Sequence, residues 1–560
     1  MTPPRSEERV AASPASVAAT ALLGEFIRSG ITDLVLSPGS RSQALALAAA
    51  QFERAGLLNL HVRIDERSGG FLALGLAVET ARPVLLVVTS GTAVAELHPA
   101  VLEAAHSGVP LVVLSADRPA ELLGIGSNQT TVQPGMFGAA VSKTWDVPAP
   151  GPGPGEEEAA RTLAAEVLAG IDGPRHVNLA YREPLSAPQL LPDVEPGPWV
   201  PNTRPQEVLE LRPSPGTVVV AGTGAGDVAE AVARALGAPL LAEVASGARF
   251  GPNLVAAYRQ LLAAANFGDR IERVVVFGHP TLSREVPAMI QNGRVETIVV
   301  RGLGRDDYNP GHRVSRFVDA VTVAEDAAAL DAARSWVGRW VHGSRELIDD
   351  VDTVPGAALT DDYRERAEFA RTQLEALRTP VTRGALVRAV WNASWPHDRL
   401  VVASSRLIRE LDRIAPGKKI PVHANRGLAG IDGTIATATG IALAQQAGAE
   451  ARGITRVLLG DLAMLHDAGS LLAGVGEERP RMQLIVGNDG GGTIFDGLEV
   501  AGSADAELLD RVMLTPQRVD FAALAAAYGW QYRRVSNRGE LDPALTPSDE
   551  QVLIEVPLAR

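Results

Sequence analysis

Two turns near the C-terminal end of the chain carry the most readable chemistry. In LLGDLAML an apolar run ends at Gly460 and Asp461 opens a turn into a helix. In QLIVGNDGGGTIF, 27 residues further on, a second run ends at Asn488, followed by Asp489 and three glycines. If the two runs are neighbouring parallel strands, both turns fall on one carboxyl edge of a sheet, where ligands of open α/β sheets bind. An Asp carboxylate, an Asn amide oxygen and a free backbone carbonyl such as that of Gly490 are hard oxygen donors. Mg2+ takes such donors while keeping water and phosphate oxygens in its other positions. Glycines after Asn488 let the backbone approach a diphosphate closely. The pair reads as a metal–diphosphate anchor, with Asp461, Asn488 and Gly490 as ligands.

Other chemistries are closed off. The chain has no cysteine, which removes disulfides, thiolate zinc sites, iron–sulfur clusters and cysteine nucleophiles. His98, His106, His279 and His466 have no metal-ligand spacing and read as packing or capping residues. AGTGAG (221–226) imitates a dinucleotide fingerprint, with Glu243 about twenty residues on, but Asp227 stands where the final glycine belongs. An acid there opposes a pyrophosphate, so the expectation is a structural turn.

The elements that must hold these turns follow from hydrophobic patterning. Short β-type runs (ITDLVLS, HVRID, PVLLVVTS, VPLVVLSA) alternate with Ala/Leu-rich helical stretches near 42–55, 67–80 and 92–106. That alternation predicts βαβ units and parallel sheets buried on both faces. HVNLAYREPL (176–185) reads as a returning strand of the same sheet, PAPGPGPGEEE (148–158) as a surface loop and 185–206 as a Pro-rich boundary. GTVVVAG, RVVVFG and ETIVVRG mark a second α/β region. A polar helical connector at about 340–380 leads to a third, with RLVVASS, RVLLGD, MQLIVGND and QVLIEVPL. The reading is α/β throughout, in three domains of mostly parallel sheet flanked by helices: 1–190, 205–345 and 375–560. Segments 89–117 and 459–489 share a strand, Gly turn, Leu-His helix, strand pattern, consistent with duplication of one fold.

Composition bounds the partners. With 52 Lys and Arg against 66 Asp and Glu, the net charge of −14 argues against nucleic acid and anionic membranes. No apolar run approaches the ~20 residues that span a bilayer. The first residues, MTPPRSEERVAASPAS, lack the pattern of a secretory signal and read as a frayed tail before a helix. A reducing, cytoplasmic setting is expected.

SPGSRS (37–42), DERSGGFLALGLA (65–77), TSGTAVAELHPA (89–100), LSADRP (114–119), SNQT (127–130) and NRGLAGIDG (425–433) run through nearly the whole chain together with the two anchor turns. In these motifs the sequence resembles the thiamine diphosphate-dependent enzymes. Their signature pairs a GDG turn with a distant NN, where this chain has GDL and GND. GDL-type variants resemble one branch, the MenD synthases of menaquinone biosynthesis. That resemblance implies thiamine diphosphate and Mg2+ (or Mn2+) as cofactors, and 2-oxoglutarate and isochorismate as substrates of a decarboxylating carboligation. It also implies a homodimer or homotetramer with active sites at subunit interfaces, the chain's middle region being a Rossmann-like domain.

Residue by residue, Glu66 matches the acid that hydrogen-bonds the cofactor's aminopyrimidine ring and relays a proton; by itself, beside Asp65 and Arg67, such a Glu is more often a solvated helix-start carboxylate. Pro38, Gly91, Gly460, Leu462, Ile494 and Phe495 match the cofactor's surroundings. Ile431 matches the wedge that bends the cofactor, and reads equally as a core residue. Asp461, Asn488 and Gly490 match the metal ligands; alignment on Ile494–Phe495 instead puts Asp489 and Gly491 in those roles. Arg41, Arg118, Arg409 and Arg426 match substrate-carboxylate binders, four cations for two dicarboxylates, a recognition suited to the planar guanidinium. Ser40, Asn128, Gln129 and Ser405 match polar neighbours, and Phe495 and Leu498, with Ile494, supply apolar walls. The alternative is another thiamine diphosphate-dependent enzyme acting on smaller 2-keto acids, which needs fewer arginines.

Overall fold

Unbroken runs such as VLLVV (84–88) and LVVLSAD (111–117) are buried along their whole length, as strands covered by helices on both faces must be. The computed structural model describes residues 13–151, 153, 155–188, 190–201, 206–302, 304–348, 362–448 and 451–560. The first twelve residues, expected as a tail, and part of the expected 340–380 connector lie outside them. Two compact units are formed.

The first unit is Met1–Arg204 with Leu303–Arg305 and Leu472–Glu478. Its sheet contains β1 (Asp33–Leu36), β2 (Asn59–Val62), β3 (Val84–Val88), β4 (Leu111–Asp117), β5 (Thr144–Val147) and β6 (Arg175–Ala180), all parallel, in the order β2-β1-β3-β4-β6-β5. β6 is the expected returning strand, beside β4. The expected helix at 92–106 is interrupted: Thr92–Glu96 and His98–Ser107 meet at Leu97. Pro99 cannot donate an N–H into a continuous helix, and sits instead in the first turn of the second one.

The second unit carries two larger sheets and a ribbon. β7 (Val208–Leu211) pairs with β13 (Ala320–Val323). β8 (Thr217–Ala221), β9 (Leu240–Ala242), β10 (Arg273–Phe277), β11 (Glu296–Val300) and β12 (Arg316–Val318) form a parallel sheet ordered β12-β11-β10-β8-β9. β14 (Arg399–Val402), β15 (Val422–His423), β16 (Thr455–Gly460), β17 (Met482–Asn488), β18 (Gln531–Arg534) and β19 (Val552–Pro557) form the other, ordered β15-β14-β16-β17-β19-β18. Counted within its own sheet, this last order is the same as that of the first unit, 2-1-3-4-6-5, which agrees with the internal likeness read in the sequence. In both sheets the chain leaves the first strand for an outer neighbour and then returns to its other side, creating a switch point at the carboxyl edge. The three larger sheets are each packed in apolar cores; the ribbon shares that of the five-stranded sheet, and Val244, Ala245 and Leu282 join a core of the last sheet. Among the described residues no helix is long and apolar enough to cross a membrane.

Candidate active site at two carboxyl edges

In the first unit, the chain leaving β1 enters Ser37–Ser42 and the chain leaving β3 enters Thr89–Gly91. The two turns touch: a Cβ at Gly39 would lie 2.3 Å from Thr89 Cβ, so only glycine fits. Gly91 has φ +80° and caps the helix that follows. Leaving β2, Asp65 caps the helix Glu66–Thr80 by accepting from Arg67 N (3.0 Å) and Ser68 N (3.4 Å), which makes the half-buried Glu66 its first residue. Leaving β4, the buried Arg118 donates from Nη1 to Ser90 Oγ and to Gln129 O, both at 2.6 Å. Arg41 donates to Tyr181 O at 3.2 Å; burial, then the charge of Arg118, lowers its pKa. Asn128 and Gln129 lie exposed in the loop that Arg118 grips, and Pro38 and Ser40 are exposed at the β1 turn.

A buried polar network that the sequence did not disclose supports this edge. Gln133, fully buried, accepts the Gly91 N–H at 3.0 Å and donates to Asn178 Oδ1 at 2.8 Å; Asn178 donates to Asp117 Oδ2 at 3.0 Å; Asp117 accepts the Arg118 N–H at 2.7 Å. With the Arg118–Ser90 contact the ring closes on itself, so the Gly91 turn and the Arg118 side chain are set by one network. Ser115 Oγ donates to Asn178 Oδ1 at 3.0 Å and lies 2.7 Å from His176 Nε2, which therefore carries the ring proton. Phe137 meets the ring edge-on at 5.0 Å.

Burial pushes His176 down to about 4. Its unfolded counterpart titrates near 6.5, so between these values the unfolded chain binds the extra proton and stability is lost as pH falls from about 6.5 toward 4. The expected cost is on the order of 2 kcal/mol at pH 5. Denaturant titrations at pH 7 and pH 5 should show a fall in the wild type that is smaller in His176→Gln; equal falls would refute the assignment.

In the second unit, the end of β16 places Asp461 as the first residue of the helix Asp461–His466. Its carboxyl is buried and receives the backbone N–H groups of Leu462 and Gly491, while burial, and after it the nearby charge of Asp489, pushes it up to about 6. At the end of β17, neighbouring side chains diverge as strand geometry requires. Asn488 Nδ2 donates to Glu555 Oε1 at 2.8 Å, and its Oδ1 accepts the Gly490 N–H at 3.3 Å. Asp489 Oδ2 accepts from Thr493 Oγ1 at 2.5 Å and from Arg383 Nε and Nη2 at 3.1 and 2.9 Å. Among the described residues no three His, Cys, Asp or Glu side chains cluster as a metal site. The donor set still fits a hard dication, because two carboxylates face one glycine turn and one of them is held above its ordinary pKa without such a charge.

The remaining residues line the same edge. Ser405, at the end of β14, has φ +112°, a conformation worth roughly 1–3 kcal/mol of strain for a residue other than glycine, and precedes the helix Arg406–Ile414. Arg409 Nη1 donates to Ser405 O at 2.7 Å; burial, then Arg259 and Arg284, lowers its pKa. Arg426, beyond β15, is 3% exposed and braced on Thr281 and Ser404. Ile431 is half-buried against the core of its sheet. Ile494 and Phe495, half-buried, sit in a short helical turn Thr493–Gly497, with Leu498 next. Sequence reasoning missed Arg383, Gln133 and Asn178. Each acts through a partner dozens to a hundred residues away, which no local pattern discloses.

The AGTGAG turn is structural. Gly222 lies so close to His279–Pro280 that a Cβ would stand 2.1 Å from Pro280 N, and Glu243 spends its carboxyl on the backbone of Thr281 and Leu282.

Comparison with known proteins agrees with this layout. Residues 17–139 match the thiamine pyrophosphate enzyme N-terminal TPP binding domain, and 414–556 the corresponding C-terminal TPP binding domain. The fold resembles that of benzoylformate decarboxylase from Polynucleobacter necessarius, with a TM-score of 0.65 at 16% identity, over 97% of this chain and 98% of that one. A 2-succinyl-5-enolpyruvyl-6-hydroxy-3-cyclohexene-1-carboxylate synthase from Leifsonia xyli subsp. xyli is 56% identical over 98% of this chain and 97% of its own. The synthase of that name from Clavibacter michiganensis subsp. michiganensis is 54% identical over 100% and 98%. Likeness of that depth over the whole length, with both cofactor domains accounted for, means that the chain belongs to the 2-succinyl-5-enolpyruvyl-6-hydroxy-3-cyclohexene-1-carboxylate synthase family of thiamine pyrophosphate enzymes.

Proposed function

We propose that this chain decarboxylates 2-oxoglutarate and joins the remaining four-carbon unit to isochorismate, in the cytoplasm, as a step of menaquinone biosynthesis. The observation that carries the substrate class is the placing of arginines at both carboxyl edges, Arg41 and Arg118 at one, Arg409 and Arg426 at the other. A chain of net charge −14 binds two dicarboxylates only through such local cations.

Thiamine diphosphate, when bound, supplies the electron sink for loss of carbon dioxide. Glu66 would hold and return a proton at the aminopyrimidine ring, with Pro38, Gly91 and Ile431 shaping its surroundings. Asp461, in the Gly460–Leu462 turn, would hold Mg2+ or Mn2+ over the diphosphate. Of the two ligand sets, Asp489 with the Gly491 carbonyl is favoured over Asn488 with Gly490, because Asn488 Oδ1 is turned onto the Gly490 N–H, whereas Arg383 and Thr493 take only Oδ2 of Asp489, whose charge is felt at Asp461. Ser40, Asn128, Gln129 and Ser405 would orient the substrates, and Ile494, Phe495 and Leu498 would exclude water. Segments 1–190, 205–345 and 375–560 would act as pyrimidine-binding, central and diphosphate-binding domains. We also propose a homodimer or homotetramer with active sites between subunits. The exposed Ile64, two residues before Glu66, and Ile125 and Val132, flanking the SNQT loop, support it.

Purified protein with thiamine diphosphate and Mg2+ should release carbon dioxide from 2-oxoglutarate when isochorismate is present, and much less from pyruvate. No release from 2-oxoglutarate would end this reading.

A further inference from the structure

Glu243 lies just past β9 and is 1% exposed. Its Oε1 accepts two consecutive backbone N–H groups, Thr281 at 2.7 Å and Leu282 at 2.6 Å, while its Oε2 has no hydrogen-bond partner among the described residues. The same Thr281 braces Arg426: Nε donates to Thr281 Oγ1 at 2.9 Å and Nη2 to Thr281 O at 3.3 Å, with Nη1 on Ser404 Oγ at 3.1 Å. The direction of the Arg426 guanidinium is thus set by a turn whose own N–H groups are held by Glu243. Behind Glu243 stands the fully buried Asp412, which accepts from Val244 N at 2.8 Å, Tyr258 OH at 2.8 Å and Arg249 Nη1 at 3.4 Å, so the carboxyl has a rigid backing.

We propose that Glu243 is a positioning residue for substrate recognition: it holds the Thr281–Leu282 turn that aims Arg426, so removing its carboxyl weakens dicarboxylate binding while leaving cofactor binding in place. The proposal rests on the reading of Arg426 as a substrate-carboxylate ligand. Truncation would leave two buried N–H groups without acceptors, and the turn would have to move to satisfy them. The charged and titratable groups that face Glu243 are Asp412 from the helix Arg406–Ile414, Arg426 beyond β15, Arg409, and the hydroxyls of Tyr258 and Tyr308. Burial, then the charge of Asp412, raises the pKa of the Glu243 carboxyl. In its neutral form the carboxyl leaves the charge of Arg426 uncancelled; once ionised at alkaline pH it becomes an anion beside the cation a substrate carboxylate needs.

Glu243→Ala should raise KM for at least one dicarboxylate substrate about tenfold, with kcat changed less than about threefold. Thiamine diphosphate affinity, titrated by tryptophan fluorescence in Mg2+, should stay within about twofold. Glu243→Gln keeps the Oε1 acceptor and should restore KM to within about threefold of wild type. It should also lack the rise in KM expected of the wild type at alkaline pH. Unchanged KM values in Glu243→Ala, or identical pH profiles in wild type and Glu243→Gln, would overturn the proposal; the second comparison decides if Glu243→Ala does not fold. Arg426→Gln separates the layers. Raised KM there with Glu243→Ala unchanged overturns the role of Glu243 alone, whereas unchanged KM in Arg426→Gln removes the reading of Arg426 and the proposal with it.

Discussion

Replacing Glu66 by Gln should lower turnover at least about 100-fold while leaving the affinity for thiamine diphosphate nearly unchanged, because positioned proton transfer contributes about 10²–10⁴ in rate. The substitution keeps the shape and one oxygen acceptor but removes the proton that a carboxyl can take and return. The surrounding geometry is insensitive to it: the helix is capped by Asp65, not by Glu66, and Gly69 and Gly70 behind it are buried. Steady-state turnover together with a fluorescence titration of cofactor binding checks this. Loss of binding in step with loss of rate would make Glu66 an anchor instead, and turnover within about threefold of wild type would remove it from the mechanism. If the site is shared between subunits, as proposed, mixing inactive Glu66→Gln and Asp461→Ala chains should recover activity once subunits exchange.

What the sequence disclosed follows the physics of burial. β3, β4, β8, β10, β14, β16 and β17 are apolar runs covered on both faces, and each is legible as such. β18, reading QYRR with a mostly exposed pattern, and β15, only two residues long, lie at sheet edges where no second layer demands an apolar side chain, so nothing in their composition announces a strand. The same logic divides the site. Turns at strand ends were legible because glycine and short acids are required locally. The supports were not, because Gln133–Asn178, Arg383–Asp489 and Glu243–Thr281 exist only after the fold brings distant segments together. Even the choice between Asn488 and Asp489 is one of strand facing: alternation says that they diverge, but only the neighbours, Glu555 on one side and Asp461 on the other, say which way each one points.

That choice has a measurable consequence. Asp461→Ala should weaken Mg2+-dependent cofactor binding by at least about 100-fold, since a hard dication that keeps few protein ligands loses a charged one. If Asp489 and the Gly491 carbonyl complete the set, Asp489→Ala should cost a comparable factor and Asn488→Ala far less; the reverse ranking would place the metal on Asn488 and Gly490. Asp489 also pairs with Arg383, so Arg383→Gln serves as the control for a purely structural effect: a loss of thermal stability with metal affinity intact would mark the ion pair as scaffold. The pH dependence carries a defined sign. Without metal the Asp461 carboxyl titrates at about 6, and Mg2+ binds the ionised form. Affinity should therefore be flat above about pH 7 and fall toward tenfold per unit below about pH 6. In Asp461→Asn the ligand no longer titrates, so whatever weak binding survives should lose that slope, and a slope that persists there would assign the titration to another group.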